Sequence, residues 1–351
     1  MPTAVIIAGG EGTRLRPLTL SIPKSLVPLL GRPFLDYQLA LIKAAAIPRT
    51  VFNLHFMPET IRRHYGDGSD WGMRFHYSVE TEPMGTAGAV KMGEEHFGKD
   101  ELVVFNGDVL TDIDLSDVIN FHRKHGARVT ISLVRVKDPT AYGLVFTDRD
   151  GKVERFLEKP SPEEATVNTI NAGVYVLNRD VMDDIPPATV YTFEKGLYPM
   201  LLGRGDPVYG YIYNGYWIDI GSPEKYLKAC IDLASGNVHS MFPLDEITSG
   251  RIFGHPTAKL DSLADITGPC YFDKGTTVAG GCKIGPNVFT GRNVNISSDA
   301  KISNSIILDG TIIDEGAVVS GALISPYCRI GARVLLSKGT LLGAYSRVTG
   351  V

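Results

Sequence analysis

AGGEGTRLRPLTLSIPK, residues 8–24, follows TAVIIA (3–8), an unbroken apolar run of the kind that makes a strand buried on both faces. The strand is succeeded by Gly9, Gly10, Gly12 and Thr13, and then by Arg14, Arg16 and Lys24. A glycine turn after a strand lets backbone N–H groups close on phosphate oxygens, because no Cβ blocks the approach. Arg14 adds a fork of donors that fits phosphate. The stretch is not a P-loop, which needs GxxxxGK[ST]. Nor is it the dinucleotide fingerprint, since Leu15 stands where a glycine or alanine is required. Taken alone, the loop reads more simply as a tight structural turn.

Working outward, strand and helix signals alternate over the first two-thirds of the chain. TVFNL (50–54), MRFHYSVE (73–80), ELVVFNGD (101–108) and VTISLVRV (129–136) read as strands. FLDYQLALIKAAA (34–46), PETIRRHY (58–65), GTAGAVKMGEEHF (85–97) and LSDVINFHRKHG (115–126) read as helices, the last stopped by Gly126. Such alternation predicts a mostly parallel sheet covered on both faces, with ligands outside the carboxyl ends of the strands. Gly9 and Asp108 fall at such ends.

After about residue 250 the period changes to six. Leu260, Ile266, Phe272, Val278, Ile284, Ile296, Ile302 and Leu308 keep one phase, with Thr290 the exception. Ile306, Ile312, Val318, Ile324, Ile330, Leu336, Leu342 and Val348 keep a second. A strict period of six predicts a left-handed hexapeptide β-helix, because ordinary hairpins do not hold one phase for so many units. The change of phase predicts an irregular coil near Ile302–Ile312. The expected domains are 1–240, a linker at 241–253, and the β-helix at 254–351.

Composition narrows the function classes. A net charge of −4 gives no electrostatic footprint for nucleic acid or an acidic membrane surface. No apolar run approaches the ~18 residues that a membrane span needs, and the amino terminus enters a strand without a signal peptide pattern. A cytoplasmic protein is expected. Cys230, Cys270, Cys282 and Cys328 lack metal-ligand spacing and read as reduced, buried apolar residues.

The glycine loop does not stand by itself. GGEGTRLRPLT and Pro23–Lys24 are followed in order by EPMGTAGA (82–89), FNGDVL (105–110), YGLVF (142–146), FLEKP (156–160), INAGVYVL (170–177), FEKGLYP (193–199) and YWIDIGSPEKY (216–226). Each motif is modest, but the set in this order closely resembles the sugar-1-phosphate nucleotidyltransferases, the NDP-sugar pyrophosphorylases. EKP, NAGVY, FEK and WIDIG look most like the mannose-1-phosphate guanylyltransferases. The resemblance covers nearly the whole chain and implies a Rossmann-like α/β nucleotidyltransferase domain with a mostly parallel mixed sheet, followed by the β-helix.

It also implies a reaction. A phosphate oxygen of a sugar 1-phosphate attacks the α-phosphorus of an NTP, GTP being favoured, and pyrophosphate leaves. The nucleophile is nearly a dianion at pH 7, so no general base is needed. Charge neutralisation and in-line positioning are. By resemblance, Arg14, Lys24, Asp108 and Asp219 are catalytic. Asp108 and Asp219 hold Mg²⁺, which prefers hard oxygen ligands. Ala8, Gly9, Gly10, Gly12, Thr13, Arg14, Glu82, Gly85, Thr86, Asn106 and Gly107 bind the nucleotide. Gly143, Glu158, Lys159, Asn171, Gly173 and Lys195 bind the sugar phosphate.

Alternatives stay open from the residues themselves. Asp108 in NGD also suits a turn, and Glu158–Lys159–Pro160 a solvated corner. Arg16 fits either a second phosphate ligand or an acid nearby, and Trp217 reads as packing. A UTP- or dTTP-dependent glucose-1-phosphate enzyme fits the same scaffold, and GTAG does not settle the base. A non-catalytic regulatory subunit of this fold is the rival from another class, disfavoured by the filled Arg, Lys and Asp positions. Acyl transfer by the β-helix is disfavoured because the last histidine, His255, precedes the repeats. β-Helix edges are pairing surfaces, so a homo-oligomer, dimer or tetramer, is expected.

Overall fold

The computed structural model describes residues 1–350. Nine strands make the main sheet: β1 (Thr3–Ile7), β2 (Arg49–Leu54), β3 (Arg74–Val79), β4 (Leu102–Asn106), β5 (Val129–Arg135), β6 (Gly143–Thr147), β7 (Val153–Glu158), β8 (Thr169–Leu177) and β9 (Val208–Ile212). Their order is β7-β6-β8-β4-β1-β2-β3, with β5 on β8 and β9 on β5. β1 runs parallel to both β2 and β4, and β3 continues parallel on β2. β8 is antiparallel to β4, β5 and β6. The sheet is therefore mixed, a Rossmann-like core extended by antiparallel strands.

β1 and β4 are buried on both faces, which is why they read as continuous apolar runs. Their registered pairing sets Ile7 beside Asn106, so the two loops that follow open at one end of the sheet. Helices are α1 (Phe34–Ala44), α2 (Pro58–Tyr65), α3 (Gly85–Met92), α4 (Leu115–Lys124), α5 (Tyr198–Arg204) and α6 (Pro223–Ala234). In α4 the Asp114 side chain accepts the Ser116 amide at 2.8 Å, and Gly126 turns the chain out at φ 57°. The helix expected over 85–97 is shorter: α3 stops at Met92, and Glu94–His96 forms a separate 3₁₀ turn after Gly93.

From Ile252 onward the chain winds through three sheets of short parallel strands, a parallel β-helix. Most coils advance by 18 residues, as from Cys270 to Val288, so three hexapeptides make a turn. A cap strand, Glu246–Thr248, pairs antiparallel with Ile252–Gly254. The irregularity expected near Ile302–Ile312 is present, and a second lies beyond it. Ile284, Ile296, Ile302, Ile307, Ile313, Val319, Ile324 and Ile330 fill the interior. The pattern shortens to five twice, at Ile302–Ile307 and at Val319–Ile324, instead of breaking once. Accordingly the coil from Val288 advances by only 17, to Ser305, and that from Ile306 by 17, to Leu323. Ile306, Ile312 and Val318 are thus not interior residues; Ile307, Ile313 and Val319 beside them are. Adjacent apolar pairs made the phase ambiguous. Leu308, assigned by periodicity to the interior, is buried outside it, in a small recess with Pro28, Tyr226 and Cys230.

Compactness divides the chain into Met1–Glu11 with Gln38–Trp217, and Gly12–Tyr37 with Ile218 onward. Within the second unit the Tyr226 hydroxyl, on α6, donates to Pro28 O. All four cysteines are free and buried. Among the described residues no helix is long and apolar enough to cross a membrane.

Candidate active site

In the first unit, Ala8, Gly9, Asn106 and Gly107 lie where β1 and β4 end. Gly107 donates its N–H to Ile7 O at 2.9 Å, and a Cβ on Gly107 would lie 2.5 Å from that oxygen. Only glycine fits this close approach, and it fixes the next residue, Asp108, at the strand ends. The buried Gln38 side chain clamps the same turn, donating to Asn106 O and Val109 O, each at 2.9 Å. Gly9 packs on His55 and Glu80: its Cβ would lie 3.2 Å from His55 Cβ and 3.4 Å from Glu80 Oε1. Ala8 is buried and donates to Asn53 O at 2.8 Å. Gly10 is exposed with open space around it.

Glu80 is the residue that the motifs passed over. It is only 6% exposed, whereas Glu82 is exposed. Its Oε2 accepts the Met84 amide at 2.8 Å. Burial pushes its carboxyl above the usual range, with the Met84 hydrogen bond and His55 opposing. The signal was present as an acidic residue ending the strand MRFHYSVE, but nothing in the alternation marks which of Glu80 and Glu82 turns inward. Gly85, at φ 75°, opens α3, where a Cβ would meet Tyr191 O at 2.7 Å.

Of the predicted sugar residues, Gly143, Glu158, Asn171 and Gly173 lie on β6, β7 and β8, and Lys195 lies in the separate turn Phe193–Leu197. A Cβ on Gly143 would lie 2.8 Å from Glu158 Oε2, and one on Gly173 (φ 72°) 2.9 Å from Asn106 Nδ2. Asn171 is oriented by two bonds: its Nδ2 donates to the Tyr175 hydroxyl, and its Oδ1 accepts the Gly173 amide, both at 2.9 Å. Glu194, also passed over, accepts from the Thr86 hydroxyl at 3.0 Å. Burial raises its carboxyl pKa, and the charge of Glu158 adds to the rise. Thr86, placed by sequence on the nucleotide, therefore spends its hydroxyl hydrogen on Glu194 and accepts the Phe193 amide at 2.9 Å. Lys159 and Lys195 are exposed. Trp217 is a packing residue: its indole donates to Ala172 O at 2.8 Å and sits edge-on to Tyr142.

In the second unit, Gly12 (φ 63°) is the left-handed start of the turn Thr13–Leu15. The Thr19 hydroxyl donates to Gly12 O at 2.8 Å, and a Cβ on Gly12 would press on Thr19 and on Lys24 Cβ at 3.1 Å. The glycine thus sets Thr13, Arg14 and Lys24 along one short loop. A Cβ on Gly221 would lie 2.6 Å from the Arg14 guanidinium and 2.8 Å from Asp219 Oδ2. Gly221 therefore lets Arg14 and Asp219 share one face. Lys225, which the motifs also passed over, pairs with Asp219 Oδ1.

Two family models match the chain. The nucleotidyl transferase model covers residues 3–236, and the GMPPB C-terminal domain model covers 266–350. The chain belongs to the nucleotidyl transferase family. Its relatives include a mannose-1-phosphate guanylyltransferase of Mycobacterium tuberculosis, 40% identical over 81% of this chain and 76% of that one. A UTP--glucose-1-phosphate uridylyltransferase of Synechocystis is 32% identical over 97% of this chain and 87% of that one. Among solved structures, HddC from Yersinia pseudotuberculosis complexed with GMP-PN is 30% identical, with a TM-score of 0.57 over 66% of this chain and all of that one. The chain is a nucleotidyltransferase, and nucleotide and sugar-phosphate substrates fit its family.

Proposed function

We propose that the chain transfers a guanylyl group from GTP to mannose 1-phosphate, releasing pyrophosphate. Glu80 carries the choice of base. A carboxylate only accepts hydrogen bonds. Guanine presents two adjacent donors, N1–H and the N2 amino group, whereas uracil and thymine present one N–H between two carbonyl acceptors. A buried carboxylate beside the glycine loop suits guanine and leaves a pyrimidine carbonyl facing negative charge. The guanylyltransferase names among the relatives and the HddC complex with GMP-PN support the same reading.

Arg14 and Lys24 neutralise the triphosphate and the charge that develops at the α-phosphorus. Glu158, Glu194 and Asn171 take the sugar's hydroxyl donors, and Lys159 and Lys195 its phosphate. Asp108 and Asp219 are the proposed ligands of Mg²⁺. Among the described residues there is no group of three or more His, Cys, Asp or Glu side chains that could hold a metal. Two carboxylates nonetheless fit Mg²⁺, which is commonly held by one or two carboxylates plus substrate phosphates and water. When bound, Mg²⁺ supplies charge neutralisation across the two phosphate groups.

A matrix of four NTPs against mannose and glucose 1-phosphate, followed by pyrophosphate release with Mg²⁺, tests the proposal. GTP with mannose 1-phosphate is expected to give the highest kcat/KM. A preference for UTP or dTTP overturns the guanylyl reading.

A further inference from the structure

The second unit contains a cavity that none of the motifs touches. It has a volume of about 380 Å³ and lies among residues 30–37, 242–245, 254–256, 271–274 and Arg292. That volume lies in the range of small-molecule sites. Its walls are mostly polar, and they carry charges of both signs in a definite arrangement.

Three cations face it. The Arg32 guanidinium lies 4.1 Å from the centroid of the Phe242 ring. Lys274 is exposed and has no carboxylate partner among the described residues. Arg292 approaches Asp273 only to 3.7 Å, too far for a direct hydrogen bond. Asp273 is the second half of the arrangement. Its side chain lies in a residue only 7% exposed. Oδ1 accepts the Lys274 amide at 2.6 Å, but Oδ2 has no hydrogen-bond donor among the described residues. That oxygen is left able to accept a hydrogen bond from a ligand in the cavity. Asp245 adds a second acceptor on the opposite loop.

The chemistry that satisfies both halves is a phosphate for the cations and hydroxyl groups for the carboxylates. We propose that this cavity binds a phosphorylated monosaccharide, at a site separate from the residues assigned to catalysis. The ring hydroxyls donate to Asp273 Oδ2 and Asp245, and the phosphate lies among Arg32, Lys274 and Arg292.

The site also has a route to the proposed chemistry. Arg32–Pro33 forms a two-stranded hairpin with Pro28–Leu29, directly after the turn Lys24–Leu26. Gly31, at the bend, packs against Tyr271 so tightly that a Cβ would lie 2.2 Å from its hydroxyl oxygen. A ligand drawing Arg32 toward Lys274 therefore pulls on the hairpin that ends the Lys24 turn. This coupling rests on the role proposed for Lys24; the binding does not.

The test is calorimetric titration of the full chain with glucose 6-phosphate, mannose 6-phosphate, fructose 6-phosphate and inorganic phosphate. At least one hexose phosphate is expected to bind saturably below about 10 mM, the limit that calorimetry reads. Lys274→Ala with Arg292→Ala should weaken that binding about tenfold or more. Asp273→Asn should weaken the hexose phosphate but not inorganic phosphate. Asp219→Asn, in the proposed catalytic set, should leave it unchanged. Absence of saturable hexose phosphate binding overturns the proposal. So does binding insensitive to the cavity variants, or binding lost only in Asp219→Asn. A failed GTP preference in the NTP matrix leaves these outcomes untouched.

Discussion

At the residue scale, two carboxylates that the motifs passed over carry the sharpest expectations. Glu80→Gln keeps one acceptor and replaces the other with a donor, which suits a pyrimidine edge better than guanine. We expect kcat/KM for GTP to fall by about 10- to 100-fold and the GTP-to-UTP ratio to fall with it. An unchanged ratio removes Glu80 from base recognition. Glu194 bears on stability. Burial raises its pKa, so between the unfolded carboxylate value of about 4.3 and its folded value the native state holds more protons. Stability attributable to this group is therefore complete at low pH and declines as pH rises through the folded value. Glu194→Gln retains an acceptor for the Thr86 hydroxyl and removes the buried charge. The Tm difference, variant minus wild type, is expected near zero at about pH 4 and positive at pH 7. A constant offset at both pH values contradicts this. The sequence made Glu158 legible, because EKP is a motif, but left Glu194 unread inside FEK, where only Thr86 reaching it across the fold reveals its burial.

At the element scale, the β-helix shows what periodicity resolves. A six-residue period establishes the coil, because each turn must bring one apolar side chain inward from each of three sheets. It does not resolve phase where two apolar residues are adjacent. Ile312–Ile313 and Val318–Val319 each offer two choices, and stacking on the previous coil selects the second. Ile313→Ala is expected to cost about 2–5 kcal/mol, as interior isoleucine truncations do. Ile312→Ala, at a half-buried outward position, should cost less than about 1 kcal/mol. Chemical denaturation of the two variants checks the order; equal losses contradict the assigned phase. The two shortened steps were legible only as a disturbance, since a deletion of one residue twice leaves a phase offset that a single break also explains.

At the scale of the whole molecule, the loop carrying Arg14 and Lys24 belongs with the C-terminal part of the chain. Gly31 rests on Tyr271, and Pro17 lies 3.4 Å from where a Cβ on Gly343 would stand. A chain ending at residue 240 keeps every candidate catalytic residue but loses these supports. We expect it to fold with a lower Tm, to turn over at least ~100-fold more slowly, as small misplacements of reacting groups do, and to change its oligomeric state. Light scattering after size exclusion, together with pyrophosphate release, measures both; full turnover shows that the loop needs no support from the β-helix. The sequence by itself determined the two architectures and the family, because periodicity and ordered short motifs are local and survive reading in one dimension. Only the tertiary structure decided which of Glu80 and Glu82 is buried, which isoleucine of each pair fills the coil, and that Lys225 sits on Asp219. Those choices depend on distant segments, through burial and close approach, and no stretch of sequence contains its own neighbours.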